Sequence, residues 1–314
     1  MAAGAQSVSA QGYDVIGDIH GHADALRRLL TKLDYSEIDG IFQHPTRKVI
    51  FVGDFVDRGP EQREVLRIAR GMSEAGEASA VLGNHEFNAI AWSTPDGSGG
   101  FLRKHSEKNL KQHVEFLEQF GDGSREYHDA IAWFRRLPVW LELPGLRVVH
   151  ACWHEPSRLA LAPYLDQMNC FTSDGFREAL RPGSEAFMAS EILLKGPEQR
   201  LPPGISFKDK SGDERHEVRL RWWDPLATTF RRAANMDDNL DELPDDELPI
   251  DFRYLDIKPV LFGHYWMQGA PTITHSTAAC LDFSVARNGR LTAYRWSGET
   301  KLTHGSIVSV AAGA

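Results

Sequence analysis

Five apolar stretches of this 314-residue sequence end in polar side chains that suit a metal ion. The five side chains are Asp18, Asp54, Asn84, His150 and His264, and His20 follows Asp18 by two residues. Polar groups that abut buried strands cost free energy unless they are satisfied, and one cation satisfies several of them at once. A glycine precedes four of the five stretch ends, and glycine allows the backbone to turn sharply and approach an ion.

The types of donor favour a divalent cation of the first transition row. Carboxylate, imidazole and amide groups without a thiolate suit Mn²⁺, Fe²⁺ or Zn²⁺ better than a soft metal. Asp18 and His20 can hold one ion with Asp54, and the other three of the six residues can hold a second ion that shares Asp54. Two ions about 4 Å apart would generate a hydroxide and stabilise the attacking and leaving oxygens of a displacement at phosphorus.

The stretch "FVGDFVDRGP" (51–60) and the residue after Asn84 add three candidate catalytic residues. Arg58 is a fork-shaped, permanently charged donor that can bind a phosphoryl oxyanion, so we predict that it also binds substrate. His85 can donate a proton to a leaving alkoxide, and Asp57 can hold its imidazolium form. The predicted catalytic residues are therefore His85, Asp57 and Arg58.

The polar side chains need strands that end close together. The runs "YDVIGD", "RKVIFVGD", "ASAVLGN", "LRVVH" and "KPVLFGH" predict five strands, and the segments between them show helical spacing, which is typical of an α/β fold. In open α/β sheets, ligands gather at the carboxyl ends of the strands. The sequence therefore predicts that the five ends meet in one small volume.

Helical spacing predicts helices over 23–33, 64–76, 106–120 and 125–138. Ser106 is the expected N-cap of the third helix, and Leu110, Val114, Leu117 and Phe120 are its expected apolar face. The stretch "AACLDFSVARNGRLTAYRW" predicts a hairpin, because Asn288-Gly289 supplies the positive φ angles of a tight turn.

We expect one domain over 13–305, with tails at 1–12 and 306–314 and a long insertion or cap at about 153–255. The net charge is −9, and the segment 237–251 carries eight carboxylates. This acidic segment is typical of a solvated loop; the alternatives are an electrostatic gate and a docking segment for a basic partner.

The composition argues against several classes of protein. The three cysteines are scattered without a C-x-x-C motif, which favours a reducing cytosol over a disulfide framework. The N-terminus lacks the features of a signal peptide, and no apolar run approaches about 20 residues, so we expect a cytoplasmic protein without a membrane partner. No basic stripe suits bulk duplex nucleic acid, and the sequence indicates no oligomeric state.

The motifs "GDIHG" (17–21), "GDFVDRG" (53–59) and "GNHE" (83–86) resemble those of the calcineurin-like metallophosphoesterase superfamily. Their "DRG" and "GNHE" forms are similar to the phosphoprotein phosphatase branch, as is "RWWDP" (221–225). The resemblance implies a two-sheet β-sandwich flanked by helices in four αββα layers, with a dinuclear metal centre. It also implies the six metal ligands given above, Arg58 on phosphate, and His85 with Asp57 as the acid pair.

Other features leave the substrate class open. "HACW" and "FGHYW" differ from the usual phosphoprotein phosphatase pattern. Arg231 or Arg232 could fill the second phosphate-binding position that the resemblance implies, although neither has the usual spacing. "FVDRGP", "VLGNHE" and the hairpin sequence also resemble bacterial dinucleoside polyphosphate hydrolases.

We expect a phosphoric ester hydrolase with two divalent ions, Mn²⁺ first and Fe or Zn as alternatives. A bacterial Ser/Thr protein phosphatase-like enzyme is the first expectation; a diadenosine tetraphosphate hydrolase and a non-catalytic metal-binding scaffold are the alternatives. The substrate would be a phosphorylated protein, a small phosphoester or a nucleotide.

Overall fold

The computed structural model describes residues 12–208, 214–236 and 240–313. All but the last residue of the predicted N-terminal tail, and the first three residues of the acidic segment, lie outside the described residues.

The strands are short and are distributed over the whole described chain. They are β1 (Gly12–Ile16), β2 (Ser36–Ile38), β3 (Ile41–Gln43), β4 (Arg47–Phe51), β5 (Ala78–Ala80), β6 (Trp140–Glu142), β7 (Arg147–Val149), β8 (Glu198–Arg200), β9 (Phe207–Lys208), β10 (Glu214–Arg215), β11 (Glu217–Arg219), β12 (Val260–Phe262), β13 (Ala278–Cys280), β14 (Asp282–Phe283), β15 (Arg290–Trp296) and β16 (Ile307–Ala311). The five predicted strands correspond to β1, β4, β5, β7 and β12.

The helices flank these strands. They are α1 (Ala23–Lys32), α2 (Gln62–Glu74), α3 (Asn84–Ser93), α4 (Glu107–Phe120), α5 (Arg125–Phe134), α6 (Glu155–Leu161), α7 (Ser173–Glu178), α8 (Glu185–Lys195) and α9 (Phe230–Ala233). The four predicted helices correspond to α1, α2, α4 and α5. Among the described residues, no helix has the length and apolar character needed to cross a membrane.

Two sheets contain the strands that carry the predicted ligands. In the first, the order is β14-β15-β1-β4-β5. β14 and β1 pair with different parts of one edge of β15, and β16 pairs with the opposite edge. β1, β4 and β5 are parallel, so their carboxyl ends lie at one edge. In the second, the order is β13-β12-β7-β6, and the central pair β7 and β12 is also parallel.

The two sheets pack face to face as a sandwich. Val15 and Ile50 of the first sheet share one buried cluster with Val148 and Leu261 of the second. Their neighbours in sequence, such as Phe262, join a second cluster that includes helix residues, because successive side chains of a strand point to opposite faces. The predicted fold class, a two-sheet sandwich flanked by helices, is confirmed.

Helix α4 buries a face that matches the predicted one only in part, at Phe120. Ser106 caps it as expected, with its side chain accepting a hydrogen bond from the Asn109 N–H. The buried residues are His113, Phe116 and Phe120, whereas Leu110 is 43% exposed. The helix is rotated slightly from the predicted face, so that His113 and Phe116 are buried while Val114 and Leu117 are half-buried.

The segment 153–255 contains α6 to α9 and the small ladder of β8 with β11, and it packs onto the sandwich. The side chain of Trp222 is almost completely buried, and its Nε1–H donates to the carbonyl oxygen of Ala151 at 3.0 Å. Leu193 and Phe230 belong to the same buried cluster as the helix side of the sandwich.

The predicted hairpin is present as β14 and β15, but the turn differs from the prediction. Positive φ angles occur at Ser284 (58°) and Asn288 (62°), on either side of a short 3-10 helix, Val285–Arg287. The turn is therefore longer than an Asn-Gly turn, and β13, predicted as part of the hairpin, pairs in the second sheet.

The predicted tail after residue 305 is wrong, because residues 307–311 form β16. This strand pairs with β15 in antiparallel register from Tyr294↔Ile307 to Arg290↔Ala311. Val308 packs against the buried cluster that includes α1, and Arg28 on α1 donates to the carbonyl oxygen of Ala311 at 2.8 Å.

Substitution of Val308 tests the packing of this strand. We expect Val308→Asp to destabilise the fold by about 2 kcal/mol, because it places a carboxylate against the apolar cluster. Ala311→Asp is the matched control, since Ala311 is on the same strand and exposed, and it should have little effect. Urea unfolding followed by circular dichroism measures both, and equal midpoints for the two variants would contradict the packing described here.

Candidate metal centre

The loops that follow β1 and β4 are bonded to each other at the carboxyl edge of the first sheet. The backbone N–H groups of Ile19 and His20 donate to the carbonyl oxygen of Asp54 at 3.1 and 2.9 Å. His20, Asp54 and His264 all have left-handed φ angles, of 46°, 51° and 75°. Such angles are strained for residues other than glycine and persist where surrounding bonds impose them. The loops therefore hold these side chains in fixed directions.

Two glycines leave room for the carboxylates. A Cβ atom on Gly263 would lie 1.9 Å from Asp18 Oδ1, and one on Gly83 would lie 2.3 Å from Asp54 Oδ1. Any larger residue at either position would collide with a carboxylate, so glycine is required for the close approach of the strand ends.

Asp54 lies at the centre of the cluster. Its Oδ2 atom is 3.5 Å from His150 Nε2, 3.6 Å from His20 Nε2 and 3.9 Å from His85 Nε2. Burial acts to raise the pKa of Asp54, but these three imidazoles and the N–H of His85 outweigh it and lower the pKa. Asp54 belongs to two groups of candidate ligands, one with His20 and His85 and one with His150 and His264.

Two of the imidazoles have a fixed orientation. His20 Nδ1 and His150 Nδ1 lie 3.0 and 2.8 Å from the carbonyl oxygens of Val56 and Val52, to which they can only donate. Burial lowers the pKa of His20 to about 3 and also lowers the pKa of His150, so both rings are neutral near pH 7. Each Nε2 atom therefore presents a lone pair to Asp54.

Asn84 brings another acceptor to the same place. Its Oδ1 atom lies 3.0 Å from His150 Nε2 and 2.7 Å from His264 Nδ1. The His150 nitrogen carries no proton in the tautomer described above, so two acceptors face each other at hydrogen-bond distance. A cation between acceptors removes this repulsion, and amide oxygen and imidazole nitrogen are both suitable ligands.

Asp18 completes the cluster from the loop after β1. Its Oδ2 atom accepts a hydrogen bond from the His264 N–H at 3.0 Å. Its Oδ1 atom and His20 Nε2 are buried without a hydrogen-bond partner. Burial, followed by the nearby carboxylates of Asp282 and Asp54, raises the pKa of Asp18 well above its usual range.

The six residues predicted as ligands thus lie together, and their arrangement fits divalent cations. Buried acceptors without donors and carboxylates that repel one another are costly in the protein alone. A cation would offset both costs, and the shared position of Asp54 suits two ions on either side of its carboxylate.

The predicted acid pair is also in contact. His85 Nδ1 lies 2.5 Å from Asp57 Oδ2, and the backbone N–H of His85 donates to Asp54 Oδ1 at 3.0 Å. Burial acts to lower the pKa of His85, but the carboxylates of Asp54 and Asp57 outweigh it and raise the pKa. His85 can therefore hold a proton beside the cluster.

His113, which the sequence analysis did not identify, is the second partner of Asp57. Its Nδ1 atom lies 2.8 Å from Asp57 Oδ1, and the side chain is completely buried on α4. Burial acts to raise the pKa of Asp57, but hydrogen bonds from His113 and His85 outweigh it and lower the pKa. The available signal in the sequence was the helical spacing that puts His113 on the same face as Phe116 and Phe120.

Glu86 is a second residue that the sequence analysis missed. It is completely buried in the first turn of α3, and its carboxylate accepts from the backbone N–H groups of Asp54 and Phe55, both at 2.8 Å. Burial, followed by the charge of Asp54, raises its pKa to about 8. Glu86 therefore holds the backbone that carries Asp54, and the final letter of "GNHE" was the available signal.

Arg58 is exposed beside the cluster, with its guanidinium carbon 4.2 Å from the centroid of the Trp266 ring. The two arginines considered for a second phosphate position have other contacts. Arg231 donates to the carbonyl oxygen of Leu243, and Arg232 lies 3.7 Å from Asp224. Within the described residues, no hydrogen bond or ion pair joins either arginine to the metal centre.

The chain is similar to known proteins in both sequence and structure. A curated relative from Vibrio vulnificus (strain YJ016), "Bis(5'-nucleosyl)-tetraphosphatase, symmetrical", is 26% identical over 90% of this chain and 94% of its own length. The "Bis(5'-nucleosyl)-tetraphosphatase PrpE [asymmetrical]" of Oceanobacillus iheyensis is 29% identical over 44% of this chain, and the match spans 54% of that protein. The match to the PrpE protein of Halalkalibacterium halodurans, at 43% identity, spans only 30% of its length.

A solved structure titled "Crystal structure of a putative diadenosine tetraphosphatase" superimposes with a TM-score of 0.50 at 17% identity. The superposition covers 96% of this chain and 94% of that one, and at this identity it supports the fold alone. The sequence profile of the family described as "Calcineurin-like phosphoesterase" matches residues 13–265. This match covers most of the chain, includes all six predicted ligands and confirms the resemblance: the protein belongs to the calcineurin-like phosphoesterase family.

Proposed function

We propose that this protein is a metal-dependent phosphoric ester hydrolase whose substrates are dinucleoside polyphosphates. The observation that carries the proposal is the position of Asp54 Oδ2, within 3.6 Å of the Nε2 atoms of both His20 and His150. One carboxylate is thereby shared between two sets of acceptors that lack donors. This is the arrangement expected for a pair of cations that act on a phosphoryl group.

The six predicted ligands would hold the two cations, with Asp54 shared between them. Mn²⁺ is the first choice, and Fe or Zn are the alternatives, because the donors are carboxylate, imidazole and amide groups. When bound, the cations supply Lewis acids for the phosphoryl oxygens and lower the pKa of water.

His85 is the proposed general acid. Because its Nδ1 atom is bonded to Asp57, its Nε2 atom is the one that faces the centre, 3.9 Å from Asp54 Oδ2. A proton at Nε2 can pass to the leaving oxygen, and the Asp57 carboxylate stabilises the imidazolium before transfer. Arg58 is the proposed phosphate-binding residue, since its guanidinium is exposed beside the centre and can bind two phosphoryl oxygens at once.

The relatives support the choice of substrate. The Vibrio protein aligns over nearly the full length of both chains, and its name describes hydrolysis of a dinucleoside tetraphosphate. The features that differ from phosphoprotein phosphatases, "HACW" and "FGHYW", agree with this choice. Hydrolysis of phosphoproteins, the first expectation from the sequence, stays a prediction and is one outcome of the test below.

A substrate panel tests the proposed function. With Mn²⁺ present, we expect kcat/KM for diadenosine tetraphosphate to exceed that for a phosphoserine peptide and for an aryl phosphate at least tenfold. A chelator should abolish turnover and added Mn²⁺ should restore it, because the ligands alone supply no Lewis acid.

Asp54→Asn should lower kcat at least about 1,000-fold, whereas the control Asp129→Asn, an exposed carboxylate on α5, should match the parent protein.

A preference for the phosphopeptide would contradict the proposed substrate and favour a protein phosphatase. No turnover of any substrate with Mn²⁺, Fe²⁺ or Zn²⁺ would instead favour the non-catalytic scaffold.

The role of His85 predicts a dependence on the leaving group. His85→Asn should lower kcat for an alkyl phosphate about 100-fold or more, because an alkoxide needs a proton to leave. The loss should be much smaller for an activated aryl phosphate, whose leaving group is stable as an anion. His128→Asn, at an exposed histidine on α5, is the control. An equal loss on both substrates would show that His85 positions groups and does not donate a proton.

His113 is a proposed positioning residue that acts through Asp57. His113→Leu removes one of the two imidazole partners of Asp57, so we expect kcat for the alkyl phosphate to fall about tenfold with KM unchanged. His113→Asn retains an N–H donor near the Nδ1 position and should recover part of the loss. A loss in both variants that follows their thermal stability would indicate a role in folding alone.

A further inference from the structure

Two guanidinium groups contact the same indole ring at the edge of the metal centre. The Cζ atoms of Arg58 and Arg287 lie 4.2 and 4.3 Å from the centroid of the Trp266 ring. They are therefore no further apart than the two distances combined, about 8.5 Å. We call Arg58 and Arg287 the arginine pair.

The arginine pair borders the predicted ligands. The Trp266 ring centroid is 5.7 Å from that of His20, and Trp266 follows the ligand His264 by two residues. Arg58 follows Asp54 by four residues, in the loop after β4 of the first sheet. A group bound by the pair would consequently lie beside the metal centre.

Neither guanidinium is directly paired with a carboxylate in the described residues. Across the described residues, the side chains of Arg58 and Arg287 make no hydrogen bond and no ion pair, and both are exposed. Stacking on an indole orients a guanidinium but leaves its charge and its N–H groups available. Two like charges held this close repel each other, and an anion that contacts both removes the repulsion.

Hydrogen bonds fix the turn that carries Arg287 against the loop that carries Trp266. The buried carboxylate of Asp282 accepts from the backbone N–H of Trp266 at 2.8 Å and from that of Ser284 at 2.9 Å. The Ser284 hydroxyl donates to the carbonyl oxygen of Met267 at 3.0 Å. Trp266 and Ser284 have left-handed φ angles of 53° and 58°, which these bonds hold in place.

We propose that Arg287 binds a second phosphate group of the substrate, next to the phosphate that Arg58 binds. The inference rests on the proposed function and makes the arginine pair the feature that selects linked phosphates over a single phosphoryl group. Neighbouring phosphates of one chain can contact both guanidinium groups, whereas a monoester offers one phosphate to the pair. Arg287 takes the place that the sequence analysis gave to Arg231 or Arg232.

The surroundings of Arg287 offer room for the rest of such a substrate. Arg287 and Trp266 both line a cavity of about 1430 Å³ on the side of the segment 198–236. A cavity of this size exceeds the usual volume of sites for drug-sized ligands, about 300–1,000 Å³. The ligands of the metal centre do not line it, so the cavity would hold the part of the substrate beyond the reacting phosphate.

Direct binding tests the inference without requiring turnover. The probes are inorganic tripolyphosphate and orthophosphate, titrated calorimetrically into the Mn²⁺-loaded protein at one fixed concentration of free Mn²⁺. In Arg287→Ala we expect the affinity for tripolyphosphate to fall at least tenfold, and to fall at least five times more than the affinity for orthophosphate. Arg287→Lys should lie between the parent and Arg287→Ala, because lysine keeps the charge but loses the fork.

Arg231→Ala is the matched control, since its guanidinium is engaged with the carbonyl oxygen of Leu243, and its tripolyphosphate affinity should equal that of the parent. Equal losses for the two probes in Arg287→Ala, no loss at all, or a loss in Arg231→Ala instead would overturn the inference. So would a parent protein that binds tripolyphosphate no better than orthophosphate. The thermal midpoints of the three variants exclude unfolding as the cause. We expect them within about 2 °C of the parent, because substitutions of exposed residues change stability little.

Turnover provides a second readout that separates this inference from the proposed function. In Arg287→Ala, the ratio of kcat/KM for diadenosine tetraphosphate to that for an aryl phosphate should fall at least tenfold. A parent protein that does not hydrolyse the tetraphosphate refutes the proposed substrate, and the binding experiment then decides the role of Arg287 alone.

Discussion

The repulsion among buried acceptors around Asp54 is the constraint on which the rest of the structure depends. Asp54 faces the Nε2 lone pairs of His20 and His150, and the amide oxygen of Asn84 faces His150 as well. Within the described residues, Asp18 Oδ1 and His20 Nε2 are buried and have no hydrogen-bond partner. The fold holds these atoms together through strained loops, required glycines and the Glu86 carboxylate, all of which are costs that bound cations can offset.

The two sheets make different contributions to this arrangement. The first sheet supplies Asp18 and Asp54 from adjacent parallel strands, and its loops bond directly to each other. The second supplies His150 and His264 from a second parallel pair, β7 and β12. Because both parallel pairs end at the same side of the sandwich, a short side chain from each strand is enough to reach a common centre. Outside the centre, α4 places His113 against Asp57, and the β14–β15 turn places Arg287 against the Trp266 ring.

The sequence predicted the parts of the site that are local and could not predict those that depend on packing. Asp18, Asp54 and His264 follow apolar strands directly, so their types and positions indicated the centre. His113 lies 56 residues from Asp57, and only the packing of α4 brings the two together, which hydrophobic spacing cannot show. The position of Arg287 beside Trp266 could not be predicted, because the turn that carries it is longer than the Asn-Gly turn expected from the sequence. The strand at 307–311 was missed because nothing in the sequence indicates that the edge of β15 with which it pairs is open.

Anomalous X-ray scattering from crystals of the Mn²⁺-loaded protein tests the central claim most directly. The account predicts two manganese peaks about 4 Å apart, one near Asp18 and His20 and one near Asn84, His150 and His264, with the Asp54 carboxylate between them. Crystals at saturating Mn²⁺ with no peak beside Asp54, or with manganese bound only at other residues, would contradict it.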